Sequence, residues 1–537
     1  MIQSPSSLLS QIRRHLPFNP EGRPDASHLP MDTTREPVGR RDAMLFSAAV
    51  GWSLVISATT LGLAPNVWAE APVQEVEKPN LLLIIADDLG RQLNSYGDET
   101  VPTPNFDRLA REGVQFNRGY VTAASCSPSR GSIMTGLYPH QHGMIGLSHQ
   151  DWSTRFGHRI HDGTPLLPNV LKDMGYRTAS FGKTHFEPKA AFAWDKLVEN
   201  HDHLVERDVV LMAEEAGNFA RESGDQPFFI VASYVDPHRY GDVFTPFQRK
   251  GLPENPIAAG ELAPFPYLGL DSRGMREDVA GYYNMVKRLD YGLGLLLDRL
   301  DSEGVLDNTL VLFVSDNGPD FIRMKKSVYE EGVRVPFFVR WPGKAEAGLV
   351  REDLVSTIDI FPTFVSAARG TLEAHGAGHP LQPLLQSGDV PWRDSIMTEF
   401  IVHAPSQYFP SYALSTERYQ LIHNLDSGRR NPITIETRFP EWRAALSSAN
   451  ADHPFTAAYR RYDAPPEFEL YDLEKDPFFL HNLAGDAAMA EVLEDLKKRL
   501  HQWRVETEDP LLDPAYRKKL TERYRETTPF IPVDPQP

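Results

Sequence analysis

Four oxygen-bearing side chains stand where two apolar runs end. Asp87-Asp88 follow residues 81–86 (LLLIIA), and Asp316-Asn317 follow residues 310–315 (LVLFVS). Carboxylate and amide oxygens are hard donors that suit Ca2+ or Mg2+ and not zinc or copper. Two further runs end in cations and proton carriers. Residues 177–181 lead into Gly182-Lys183-Thr184-His185, and residues 227–235 lead into Asp236-Pro237-His238. Together with a lysine near position 325, these groups could hold an anionic substrate and shuttle a proton. Any one of these endings alone is better read as a turn or a helix cap. Four at one edge of one sheet are hard to assign to chance.

The chain has one cysteine, so no internal disulfide and no thiolate zinc site can be built. That cysteine opens Cys126-Ser127-Pro128-Ser129-Arg130. Pro128 suits a first helical turn, so a helix is expected to begin here with its N–H groups facing the site, where they attract anions. A lone cysteine is usually a small buried hydrophobe, and a soft thiolate is a poor partner for a hard cation. Residue types alone leave its role open.

The apolar runs lack alternation, as in parallel strands buried on both faces. Helical patterns at 105–113, 166–174, 208–224 and 279–303 lie between them. Strands alternating with helices predict an α/β domain with a mainly parallel sheet sandwiched by helices. In such sheets ligands bind beyond the carboxyl ends of the strands, where the polar residues above stand. After about residue 385 shorter strand-like pieces follow (395–400, 408–415, 419–424 and 468–472), then an amphipathic helix at 487–506. They predict a smaller C-terminal α+β domain. The expected division is a leader and linker at 1–78, a catalytic domain at 79–385, the smaller domain at 386–520 and an extended tail at 521–537.

Composition sets outer limits. The chain has 537 residues, 41% of them hydrophobic and 24% charged, which suits a globular protein with a sizeable core. The net charge of −18 argues against nucleic acid or an anionic membrane as the main partner. Near the start, Arg40-Arg41 precede the apolar stretch 44–64, and Val67-Trp68-Ala69 has small-x-small spacing. These features predict a cleaved twin-arginine-like export signal and a periplasmic or secreted protein, with a membrane anchor as the alternative.

With these residues in place, the sequence resembles the type I sulfatases. Cys126–Arg130 matches their C-x-P-x-R signature, and Thr135-Gly136 completes its longer form. The resemblance spans about residues 79–510 and includes residues 102–109, Gly182-Lys183-x-His185, Ser315–Gly318, residues 329–336 and residues 469–477. Within the family, His140–Met144, Asp236–Arg239, Leu421–Leu425, Trp503 and Asp509-Pro510 look closest to the heparan sulfamidase branch, the N-sulfoglucosamine sulfohydrolases. Lys325 stands where that branch carries arginine, and residues 399–414 match it only loosely.

The resemblance implies an alkaline-phosphatase-like fold and a cysteine converted by a formylglycine-generating maturase. The aldehyde hydrate would then offer oxygen as both metal ligand and nucleophile. Asp87, Asp88, Asp316, Asn317 and modified Cys126 would hold one Ca2+ (or Mg2+). Arg130 would orient the hydrate, and Lys183 and Lys325, with Lys326 as fallback, would clamp the sulfuryl oxygens. His238 would protonate the leaving atom, and His185 would help release sulfate. The implied substrate is a sulfated saccharide, with the N-sulfate of glucosamine favoured over an O-sulfate. The competing readings are a phosphatase or phosphonate hydrolase of related architecture and a catalytically silent sulfated-glycan binder.

Overall fold

A computed structural model describes residues 78–199, 207–239, 253–371, 375–434 and 454–532. The leader with its paired arginines and the final residues of the tail lie outside them. Among the described residues, no helix is long and apolar enough to cross a membrane.

The strand-like runs form the centre of an eight-stranded sheet. Its strands are β1 (Asn80–Ala86), β2 (Val114–Tyr120), β3 (Arg177–Gly182), β4 (Lys196–Val198), β5 (Phe228–Ser233), β6 (Thr309–Ser315), β7 (Arg334–Arg340) and β8 (Leu349–Ser356), in the order β4-β3-β5-β1-β6-β7-β2-β8. All neighbouring pairs are parallel except those made by β7, which runs against both β6 and β2. Register aligns the ends of the central strands: Ala86 pairs with Ser315, Ile85 with Ser233, and Gly182 with Ser233. The polar residues that follow are thereby delivered to one edge, as the sequence predicts.

β1 explains why both faces are covered. Leu82, Ile84 and Ala86 pack in one apolar layer with the helices Pro104–Glu112, Val209–Ser223 and Arg273–Ser302. Leu81, Leu83 and Ile85 pack in the other with the helices Cys126–Thr135, Leu167–Asp173 and Ile360–Ala367. Burying both faces requires the unbroken apolar run. The long helix begins at Arg273, six residues before the predicted start, behind Ser272, whose side chain accepts from the Met275 N–H.

β2, β7 and β8 were not legible as strands in the sequence. β8 (LVREDLVS) carries three consecutive charges, and β7 (RVPFFVR) contains Pro336. The proline is tolerated because β6 pairs with β7 only as far as Phe337, while β2 shifts register between Phe116 and Gly119 opposite it. No ladder needs the missing N–H there.

The C-terminal portion is the expected smaller α+β unit: an antiparallel sheet in the order β12-β11-β10-β9, from β9 (Ser395–Phe400), β10 (Ser411–Thr416), β11 (Tyr419–Asn424) and β12 (Phe468–Asp472). Leu496, Leu500 and Trp503 of the helix Ala490–Glu506 pack over it. A last helix, Pro514–Tyr524, enters the stretch expected to be extended from 521, because Asp513 caps it and Leu520 and Tyr524 are buried.

Candidate active site

Asp87 and Asp88 leave β1 fully buried. Asp88 turns the chain at φ 64°, a left-handed conformation uncommon for a residue with a side chain. That turn aims both carboxylates at the groups arriving from neighbouring strands. Lys183 pairs with Asp87. Lys325 Nζ lies 2.5 Å from Asp88 Oδ1, and His238 Nδ1 2.6 Å from Asp88 Oδ2. Asn317 Nδ2 donates to Asp88 Oδ1 at 2.7 Å. Cys126 opens its helix 1% exposed, with its thiol donating to Asp87 Oδ1 at 3.3 Å.

Arg130, one turn along that helix, ties three strand ends together. Its Nε donates to Asp316 Oδ2 at 2.7 Å, and its Nη1 donates to the Lys183 carbonyl and to Ser233 Oγ. Asp316 Oδ1 in turn accepts the Asp88 N–H at 3.2 Å. Asp87, Asp88, Cys126 and His238 present potential ligand atoms all within 4.8 Å of one another. Asp316 and Asn317 meet this group through Asp88.

The charge balance follows from burial. Burial alone would raise Asp87, but Lys183, His238, Arg130 and Lys325 hold its carboxyl well below the usual range. Asp316 goes the other way: burial and the Asp87 charge push it up to about 7 despite Arg130. Burial and Asp87 also push the Cys126 thiol up, so the encoded side chain is a neutral thiol and a poor nucleophile. Burial and then Lys183 push His185 well below its ordinary value, and enclosure lowers His238 against the pull of Asp87 and Asp88.

A hard divalent cation fits this donor set. Buried carboxylates crowd here, one of them pushed toward neutrality, and the buried Asn317 Oδ1 has no hydrogen-bond partner among the described residues. Asp87, Asp88, Asp316 and Asn317 could supply its oxygens. Arg130 Nη2 and His185 Nδ1 are likewise without a partner among the described residues. His185 reaches no other candidate residue through a side-chain hydrogen bond. It sits on the rim against His149, their ring centroids 5.1 Å apart. Lys326, the fallback for Lys325, is turned to Asp320 at 3.1 Å.

Some supporting residues left no mark in the sequence. Asp236, which begins the His238 turn, is held by Arg207 and Arg288, and Arg207 Nη2 also donates to the His238 carbonyl at 3.0 Å. These arginines lie 29 and 52 residues from Asp236, and nothing local announces them. Ser125 bonds His403 Nδ1 at 2.9 Å, bringing the loop after β9 to the rim. Ser233, a hydroxyl ending an apolar strand, was the one supporting residue with a usable signal.

Residues 79–371 match the family model described as sulfatase, and residues 322–431 match one described as N-sulphoglucosamine sulphohydrolase, C-terminal. The chain is 32% identical to human N-sulphoglucosamine sulphohydrolase over 466 residues, covering 80% of this chain and 91% of that protein. It is 26% identical to an ulvan-active sulfatase of Formosa agariphila, covering 80% and 75%. A solved enzyme in complex with its substrate D-glucosamine-2-N,6-O-disulfate shares the fold at a TM-score of 0.59 and 20% identity, covering 81% of this chain and 99% of that one.

Proposed function

This chain belongs to the sulfatase family and is a hydrolase of sulfate esters or sulfamates, and from that premise we propose that it removes the N-sulfate of glucosamine in heparan- or heparin-type glycans. The observation that carries the N-sulfate reading is the match of residues 322–431 to the N-sulphoglucosamine sulphohydrolase C-terminal model. That segment holds Lys325 and the His403 loop that meets Ser125 beside Cys126. A second reading, an O-sulfatase on a sulfated polysaccharide, is favoured by Lys325 itself, because an ammonium is a point charge and not the planar fork of arginine.

In the proposed chemistry Cys126 is converted to formylglycine, and the hydrated aldehyde and one Ca2+ supply an oxygen nucleophile and positive charge against the sulfate oxygens. The neutral thiol of the unconverted residue supports this reading. The remaining work falls to side chains. Arg130, anchored on Asp316, orients residue 126. Lys183, paired with Asp87, and Lys325, paired with Asp88, would neutralise charge on the equatorial oxygens. Protonated His238 would donate Nδ1–H to Asp88 and deliver its Nε2 proton to the departing nitrogen or oxygen, leaving the neutral imidazole. His185, held uncharged by burial and Lys183, would accept a proton as sulfate is released. We further propose that the maturase acts before export through the twin-arginine-like leader.

Matched assays on glucosamine N-sulfate and 6-O-sulfate test the substrate. Faster turnover of the N-sulfate is expected, and faster O-sulfate turnover would transfer the assignment to the second reading. Mass spectrometry of the residue-126 peptide after co-expression with a maturase should show an aldehyde; an exclusively thiol peptide would refute the nucleophile assignment.

A further inference from the structure

Lys325 is carried by a loop, residues 319–329, that is held in an unusual shape. Arg323 and Lys326, on either side of it, adopt φ 62° and 67°, left-handed values that a side chain disfavours. Such a conformation persists only when its surroundings over-determine it. Local hydrogen bonds contribute: the Lys325 N–H reaches the Pro319 carbonyl, and the Lys326 N–H the Ala124 carbonyl, at 3.0 and 2.9 Å.

The stronger constraint comes from Arg323. Its side chain points away from the pocket and is 1% exposed, yet no carboxylate is ion-paired with it among the described residues. A buried, unpaired cation is costly. Three aromatic rings offset the cost, with the guanidinium carbon 4.8 Å from the centroid of Tyr267, 5.5 Å from Tyr329 and 5.7 Å from Tyr459. Nη2 donates to the Phe478 and Phe479 carbonyls at 2.8 and 3.1 Å, and Tyr267 OH donates to the Arg323 carbonyl at 3.1 Å. Tyr459 belongs to the helix Pro454–Asp463, and residues 478–479 follow β12. Tyr329, at the far end of the loop, donates to Glu469 of β12 at 2.9 Å. Segments remote in sequence from the catalytic strands therefore grip the loop two residues before its lysine.

We propose that Arg323 is a positioning residue: the tyrosine cage locks the 319–329 loop to the C-terminal unit and so sets where the Lys325 ammonium stands over Asp88 and beside His238. This rests on the reading that Lys325 contacts the sulfuryl group. A group displaced by about 1 Å can cost about 10²-fold in rate, so the loss should be a loss of turnover.

The test is a double-mutant cycle on the matured enzyme with glucosamine N-sulfate, active sites being counted by residue-126 aldehyde content. Arg323→Met should lower kcat per active site by about 10-fold to 10²-fold, with a smaller change in KM. In a Lys325→Ala background it should cost no more than about 2-fold further, because residues acting as one unit are not additive. Arg323→Lys, which keeps a cation in the cage, should recover part of kcat. A purely structural role would instead lower Tm and leave kcat per active site unchanged, and that result overturns the proposal, as does full additivity. Parental turnover by Lys325→Ala alone would overturn the role of Lys325 and this inference with it. If Arg323→Met does not fold, Tyr459→Leu removes one wall of the cage and is judged by the same two comparisons.

Discussion

Two buried clusters of charge lie either side of the same loop, and they are built on opposite principles. At the sheet edge, Asp87, Asp88 and Asp316 meet Arg130, Lys183, Lys325 and His238 at hydrogen-bonding distances, and polar atoms of Asn317, Arg130 and His185 are left without partners among the described residues. On the far side, Arg323 is enclosed by tyrosine faces and backbone carbonyls, with no carboxylate ion-paired to it among the described residues. Ionised groups in the first cluster shift one another strongly and retain capacity for an ion and an anion. Aromatic faces in the second hold a charge without offering a replaceable ligand. One cluster is arranged to exchange partners and the other to keep them.

Four substitutions would break or sharpen this contrast. The largest effect is expected from the two adjacent lysines. Lys325→Ala should lower kcat/KM by about 10² to 10³-fold, the usual scale for removing a group that stabilises developing charge. Lys326→Ala, which removes the ion pair with Asp320, should lower Tm and leave kcat/KM nearly intact. Equal kinetic losses would erase the distinction between the two sides of the loop. Next in size, Asp316→Asn should weaken Ca2+ binding by about 10-fold to 10²-fold, measured by calorimetry on chelator-treated protein. Unchanged affinity would remove Asp316 from the metal set and leave it only its Arg130 contact.

The smallest effect concerns His140, in a buried pair with Glu399 of β9, 2.6 Å apart. Burial opposes its charge, but Glu399 outweighs burial and raises its pKa above 6.5. The protonated form is therefore bound in the folded state. Its stabilisation is fully present below the unfolded value and is lost as pH rises through the raised folded value, by at most ~1.4 kcal/mol per pH unit. The Tm gap between parent and His140→Gln should shrink as pH climbs through that window. A gap that does not vary with pH would show that His140 is neutral throughout.

Much of this was legible in the sequence, for a local reason. A strand buried on both faces favours an unbroken apolar run, so β1, β5 and β6 announced themselves and β3 showed as a short β-leaning stretch, and the residues just past their ends had to lie at one edge. Strands with one exposed or irregular side did not: β8 carries Arg351-Glu352-Asp353, and β7 carries a proline that only a bulge in its neighbour accommodates. In the site, Asp87, Asp88, Lys183, His238, Asp316 and Asn317 were identifiable from their positions beside those runs, whereas Cys126 and Arg130 were picked out by the resemblance of Cys126–Arg130 to the C-x-P-x-R signature.

The sequence by itself determined which residue types reach the catalytic edge, because strand length and the turn after it are properties of a few adjacent residues. Tertiary structure decided that Lys325 pairs with Asp88 while Lys326 turns to Asp320, that two distant arginines hold the Asp236 turn, and that Tyr267, Tyr329 and Tyr459 enclose Arg323. Side-chain direction in a loop depends on the sign of φ at single residues, and here the loop is held by its own hydrogen bonds together with contacts from segments 56 to 156 residues away.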